Sequence, residues 1–482
     1  MALAKTAAAG GQGLDPRVLA FSSSMEADRA LFDADVVGSL AHVTMLGRTG
    51  IVAPDVAESI RRGLSSLYAD CLSGKAELPE EEDVHMAIET LLTERIGEPA
   101  KRMHSARSRN DQVATALRLH VRDQVRSLSL ALIKLVQQIV DLAEANQHVI
   151  MPSYTHRQRA QPVSAAYWLL SYASGFFRDA ENAAVLAMGI SECPLGAGAI
   201  AGSSLPIDRK LTAELLGFAK PTRNGMDTVG DRDFLLDYLQ VVAKTMIRAG
   251  RLSTDVIDYA TGEFGYIKLD DAIACGSSMM PQKKNPDLFE LVRGKSGSAI
   301  GNLTAMLVTM KGIPGGYNRD QQEDRGPMLA TDGLWPSVLG ALHIGLSHIR
   351  FDAERTLAML RGDATQATDV AESLVRAGMP FREAYAVSGK LVKDCQLAGI
   401  PLANAGEAQL GSLNEKMRAA VTEVLDPAGS VARKCSDGST GPGAVRAQIE
   451  QLRNECSATG EQVLHQVPSL ADLLARLQEI AS

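Results

Sequence analysis

An all-α fold built around a central bundle of long helices is predicted by three features of the sequence. Long windows carry no proline, among them 100–151, 163–193 and 287–313. Proline interrupts helices, because it lacks an N–H donor and clashes with the preceding turn. Apolar residues recur at helical spacing inside these windows. Sustained period-two alternation is not visible, and Leu, Ala and Met, rather than the aromatics (4%), carry the apolar load, as helix packing favours.

Taken in order, residues 1–13 (MALAKTAAAGGQG) are small and uncharged apart from one Lys, and are read as a disordered lead-in. They lack the apolar stretch of a secretory signal. A helical N-terminal domain is expected over 14–111, a five-helix bundle domain over 112–364 and a helical C-terminal domain over 365–482. The first bundle helix follows from Leu117, Val121, Val125, Leu128, Leu132, Val136, Ile139 and Leu142, spaced three or four apart on one stripe. A helix over 110–147 would be about 55 Å long. Similar periodicity predicts helices near 163–190, 232–262, 287–312 and 334–362.

Composition narrows the function classes. The 482 residues are 45% hydrophobic and 22% charged, with a net charge of −8 from 49 Lys+Arg and 57 Asp+Glu. That balance belongs to a folded chain and gives no basic footprint for nucleic acid. No stretch approaches 18 uninterrupted apolar residues, so no membrane span is expected. Six cysteines (71, 193, 275, 395, 435, 456) lie far apart without a C-x-x-C pair. Neither structural zinc nor a disulfide framework is expected, and a reducing, cytoplasmic compartment is the default.

Four segments between the predicted helices are too polar for packing. HSARSRNDQ (104–112) precedes the longest helix, whose N-terminal N–H groups offer an anion cradle. The alternative is capping by Asn110 or Asp111. SYTHRQRAQP (153–162) places Thr155 and His156 before the next helix. CGSSMMPQKKNPD (275–287) is a loop with two serines, two lysines and an asparagine, suited to a lid that holds a carboxylate. GGYNRDQQEDRGP (315–327) carries Tyr317, Arg319, Gln322 and Arg325 among acids. The glycines of PLGAGAIAG (194–202) lack the strand–helix context of a dinucleotide site, and read as a helix end turning tightly. Neither a P-loop nor an H-E-x-x-H motif occurs. No cofactor and no metal ligand are expected. What remains suits a small dianionic substrate.

Several of these blocks resemble a known family. GSSMMPQKKNP (276–286) is similar to the GSSxMPxKxNP signature of the fumarase/aspartase superfamily. HSARSRNDQVATALRLH, MPSYTHRQRAQP, PLGAGAIAGSSLPIDR, MDTVGDRDFLLDYL and GMPFREAY together resemble the argininosuccinate lyase branch, in that family's order, from about residue 15 to the C-terminus. The resemblance implies an all-α three-domain subunit, a homotetramer whose central helices join, and active sites each drawn from three subunits. It also implies reversible anti elimination, splitting argininosuccinate into arginine and fumarate, in arginine biosynthesis or the urea cycle. Matched residue by residue, Ser277 falls on the general base and His156 on the histidine of proton donation or relay. Thr155, Ser278, Lys283 and Asn285 fall on carboxylate-binding positions. Ser24, Arg109, Asn110, Tyr317, Gln322 and Arg325 fall on or beside other substrate-binding positions, and His85 on a histidine near the site. Two alternatives stay open: a related carbon–nitrogen lyase for another N-substituted aspartate, such as ethylenediamine disuccinate, and a non-enzymatic crystallin-like paralogue.

The chain departs from the family pattern at identifiable places. The WGGRF start reads GGQGLDP (10–16), FNASI reads FSSSM (21–25), and the lysine of QEDK is Arg325. The Thr-Gly ahead of the SRND block's first Arg is Ser105-Ala106, the residue after Thr155-His156 is Arg157 rather than Leu, and the FREAH histidine is Tyr385. Most of these changes lie toward the amine side of the substrate, whereas the 276–286 loop is intact.

Overall fold

A computed structural model describes residues 15–480, so the lead-in expected over 1–13 lies outside the described residues. Five long helices form the centre: α1 (Arg109–Ala145), α2 (Ala165–Gly189), α3 (Asp233–Ala260), α4 (Asp287–Met310) and α5 (Arg325–Ser347). The chain is all-α in the sense predicted. Its strands are short two-stranded pairs at the helix ends.

The helices alternate in direction, and this decides where functional residues land. At one end lie the start of α1, the 194–202 loop, the start of α3 and the 311–325 segment. Arg118 pairs there with Asp231, and Gln321 Nε2 donates to the Gly230 carbonyl. At the other end lie residues 150–164, 261–286 and 348–351. Arg157 pairs there with Asp258 near the end of α3, and Gln138 on α1 donates to the His343 carbonyl near the end of α5.

The stripe foreseen on α1 is the buried one: Leu117, Val121, Val125, Leu128, Leu132, Val136 and Ile139 are all fully buried. A helical run over 16–48 is long and apolar enough to cross a membrane by composition alone, but most of it is buried inside the fold. Residues 370–425 enclose a small hydrophobic core of their own. The last two helices, Pro442–Gln466 and Leu470–Glu479, instead return to the main core against α1, α2 and the helix Phe32–Arg48. Because α1 begins at Arg109, a division at 111/112 falls inside its first turn.

Four expectations are corrected. The helix read over 334–362 is three elements: α5 (Arg325–Ser347), a strand Ile349–Phe351 and a helix Ala353–Arg361. Pro336 is tolerated inside α5, while the chain breaks at 348 because Ile349–Phe351 pairs antiparallel with Ile267–Leu269. The 153–162 segment is a β-hairpin, Ile150–Thr155 with Gln158–Ser164. The N-cap of α1 is Ser108, in a capping box completed by Asp111, rather than Asn110 or Asp111 alone.

The PLGAG glycines do not close a helix. The Gly196 and Gly198 N–H groups donate to Asp111 Oδ2, each at 2.9 Å, pinning the 194–202 loop to the start of α1. Gly198 sits at φ +65°, and a Cβ there would meet the Gly202 carbonyl at 2.6 Å.

Ala106 sits at φ +58°, a region that L-residues enter at about 1–2 kcal/mol. It occupies the position where the family pattern has glycine. Ala106→Gly should therefore raise stability by on the order of 0.5 kcal/mol, after the added freedom of the unfolded chain is subtracted. Chemical denaturation would check this, and a lower midpoint would refute it.

Candidate active site

At the first end of the bundle, four segments distant in sequence converge. Ser24 is the N-cap of the short helix Met25–Asp28, and its backbone N–H donates to the Glu82 carbonyl. Asp83 caps the helix Val84–Ile96 by accepting the Met86 N–H, and it pairs with Arg109 Nε at 3.1 Å. Arg109 and Asn110 occupy the first turn of α1, where Asn110 Nδ2 donates to the Ala199 carbonyl at 3.0 Å. The 3₁₀ turn Arg319–Asp324 then delivers Gln322 and Arg325. Together they line a cleft of about 400 Å³ with Tyr317, His104 and Glu89.

The electrostatics of this cleft are tightly arranged. Arg325 is buried between two carboxylates, with Nε 2.8 Å from Asp28 Oδ1 and Nη1 on Asp324. These neighbours outweigh burial and hold its guanidinium firmly charged. Burial and the Arg107 charge lower His104, in the cleft wall, to about 4 and the buried His42 to about 3, so both rings are neutral near pH 7. His85 is buried, its Nδ1 2.8 Å from Asp35. Burial pushes the Tyr317 phenol up, which keeps it a donor.

The other candidates lie at the opposite end. Cys275–Gly276 pairs antiparallel with Lys284–Asn285, pinching the loop at its base. Inside the pinch, Ser277 Oγ accepts the N–H groups of Met279 (3.3 Å) and Met280 (3.0 Å). Such bonds favour a negatively charged oxygen. Ser278 and Lys283 are exposed, and Lys283 and Asn285 line a second, larger cleft of about 1060 Å³. Thr155 and His156 are exposed on the hairpin.

The structure thus gathers Ser24, Arg109, Asn110, Tyr317, Gln322 and Arg325 in one cleft. It places Ser277, Ser278, Lys283, Asn285, Thr155 and His156 elsewhere on the same chain. The separation follows from helix length. The 24 residues of α4 lie between the 276–286 loop and the 317–325 segment, roughly 36 Å at 1.5 Å per residue. The 37 residues of α1 set roughly 55 Å between Asn110 and the hairpin.

His156 and Arg157 form the two-residue turn of the hairpin, both with positive φ (52° and 56°). Such turns favour Asn-Gly; histidine enters this region more readily than most residues, and Arg157 is the one held against local preference. Tyr154 OH meets Tyr266 OH at 2.7 Å, and Tyr259, Phe264 and Trp168 pack around them, holding the hairpin from below. His156→Asn should raise stability by about 0.5 kcal/mol while lowering turnover by about 100-fold. Paired melting and rate measurements would test this, and a variant that keeps wild-type turnover would refute the trade-off.

Asp28, Glu82, Asp83, Glu89 and His104 line the first cleft without having been singled out from the sequence. A signal for Asp28 was available: it lies four residues after Ser24, one helical turn away. The six cysteines are all free thiols, and Cys275 is exposed beside the pinched loop.

A general lyase family model matches residues 11–301, and a model of the argininosuccinate lyase C-terminal region matches 364–432. The argininosuccinate lyase of Synechococcus sp. (strain JA-3-3Ab) is 43% identical over 442 residues, covering 91% of this chain and 90% of that protein. That of Moorella thermoacetica is 42% identical over 434 residues, covering 90% and 94%. Among solved structures, EDDS lyase in complex with formate superposes with a TM-score of 0.78 at 26% identity, over 94% of this chain and 93% of that one. The class II fumarase of Schistosoma mansoni shares the fold, with a TM-score of 0.71 at 17% identity over 88% and 94%.

Proposed function

This chain belongs to the argininosuccinate lyase family, and from that premise we propose that it splits argininosuccinate reversibly into arginine and fumarate. It is a carbon–nitrogen lyase, and arginine biosynthesis or the urea cycle is the setting that follows. The observation that carries the reading is near-full-length identity of about 40% to argininosuccinate lyases, joined to a cleft that collects six expected binding residues from positions 24 to 325.

The chemistry fits the residue types. Removing a proton beside a carboxylate builds a doubly charged aci-carboxylate, which needs fixed donors aimed at the new charge. Ser277 takes the proton. Thr155, Ser278, Lys283 and Asn285 hold the carboxylates. The leaving nitrogen is protonated from the opposite face, where His156 serves. Arg325 replaces a family lysine with its charge kept and its planar fork locked by Asp28 and Asp324.

A complete site then needs more than one chain. No small substrate bridges roughly 36 Å, so we place each site between protomers of a homotetramer, where one copy's loop end meets another's cleft end. The surface of α4 supports this: Leu291, Ile300, Leu307 and Val308 are 46–62% exposed. Exposed apolar surface of this kind marks an interface. We also place the protein in the cytoplasm, the setting that six widely spaced cysteines without a C-x-x-C pair favour.

The deciding experiment follows fumarate absorbance when purified protein meets argininosuccinate, with ethylenediamine disuccinate and other succinylated amines in parallel. Preference for argininosuccinate supports the proposal. Turnover only of another succinylated amine would transfer the chain to the related lyase reading, and no turnover of any would favour the non-enzymatic one.

A further inference from the structure

Both oxygens of Asp28 are occupied. Ser24 Oγ donates to Oδ2 at 2.5 Å, and Arg325 Nε donates to Oδ1 at 2.8 Å. The network continues inward, since Arg325 Nη1 donates to Asp324 Oδ1 and Arg232 Nε to Asp324 Oδ2 at 2.6 Å. Asp28, Asp324, Arg325 and Arg232 are each no more than 4% exposed. Arginine gives protons and never accepts them here, so every donor and acceptor along the network has a fixed direction. Ser24 is the end of that network, and it lines the cleft.

A hydroxyl has one proton and two lone pairs. Asp28 takes the proton, which leaves Ser24 only lone pairs to offer a ligand. We propose that Asp28 is a positioning residue that makes Ser24 a hydrogen-bond acceptor, so that this wall of the cleft selects an N–H group of the departing amine and not a carboxylate. This rests on the lyase reading above and adds a specificity device to it. Asp28 touches no reacting atom: it sets the polarity of Ser24 with one oxygen, while the other holds Arg325.

The substitution Asp28→Asn inverts the polarity. Arg325 still requires an acceptor, so the new amide oxygen stays with it and the amide nitrogen turns to Ser24. Ser24 then accepts from that amide, and its proton is free to point at the ligand. The experiment measures product inhibition by arginine and by fumarate in the wild type, D28N, S24A and the double variant. Arginine inhibition is expected to weaken about tenfold or more in D28N and in S24A, with fumarate inhibition changed by less than about twofold. The double variant should be no worse than either single one, because both remove the same contact.

Equal weakening toward both products would overturn the inference and mark Asp28 as a structural residue. So would a D28N enzyme with wild-type arginine inhibition. Should D28N fail to fold, S24A alone still decides, because loss of fumarate rather than arginine inhibition contradicts an acceptor role. If the wild type released fumarate from a different succinylated amine, the proposed substrate would fall, and the same comparison with that amine product would still judge Asp28.

Discussion

Ser277→Ala is expected to lower fumarate release by on the order of 10³-fold or more while leaving melting temperature and oligomer mass unchanged. The size of the effect follows from the proposed role as general base. An alcohol is a poor base, and its oxygen must be stabilised as it gives up its proton and collects the substrate's. Ser277 Oγ already receives two backbone N–H groups from Met279 and Met280, and such donors favour the anionic oxygen. Alanine keeps the backbone and the pinch between Cys275–Gly276 and Lys284–Asn285, but removes the only atom those donors serve.

The structural effect should be slight because the loop carries little packing. Ser278, Met279, Met280 and Lys283 are exposed around the serine, and surface truncations usually stay within about 0.5 kcal/mol. Steady-state rates beside a thermal melt make the measurement. Turnover within tenfold of the wild type would remove Ser277 from the base position and leave the loop as a lid only.

How much of this was legible beforehand depended on the range of the forces involved. The long helices were readable because a buried stripe repeats every three or four residues, as Leu117 to Ile139 do on α1. The end of α5 was not, since no glycine or proline marks residue 348 and the break comes from pairing with Ile267–Leu269, far off in sequence. The hairpin escaped notice because its turn is His-Arg instead of Asn-Gly, and its strands are largely polar near the tip. Candidate site residues could be named from motifs, one by one. Their division between two ends of a bundle could not, because it depends on helix direction, which only the packed structure supplies. Asp28 was hidden for a related reason: its importance lies in the partners on either side, Ser24 one turn away and Arg325 nearly 300 positions later.

Mixing two inactive variants should restore activity, and this is the sharpest consequence of that division. Asn110→Ala damages the cleft end and Ser277→Ala the loop end. In either pure variant every site is defective. In a tetramer assembled from both, a site joining the cleft of a Ser277→Ala copy to the loop of an Asn110→Ala copy contains neither change. Random assembly from equal amounts gives about a quarter of sites of that kind. Co-expressed or co-refolded mixtures are therefore expected to recover on the order of a quarter of wild-type turnover, from parents with almost none. The expectation rests on the proposed shared site, in which two ends of one chain roughly 36 Å apart serve one small molecule only by meeting across protomers. Mixed oligomers, verified by mass, that stay as inactive as their parents would mean that each chain completes its own site. The cleft and the loop would then have to approach by a rearrangement that the rigid length of α4 opposes.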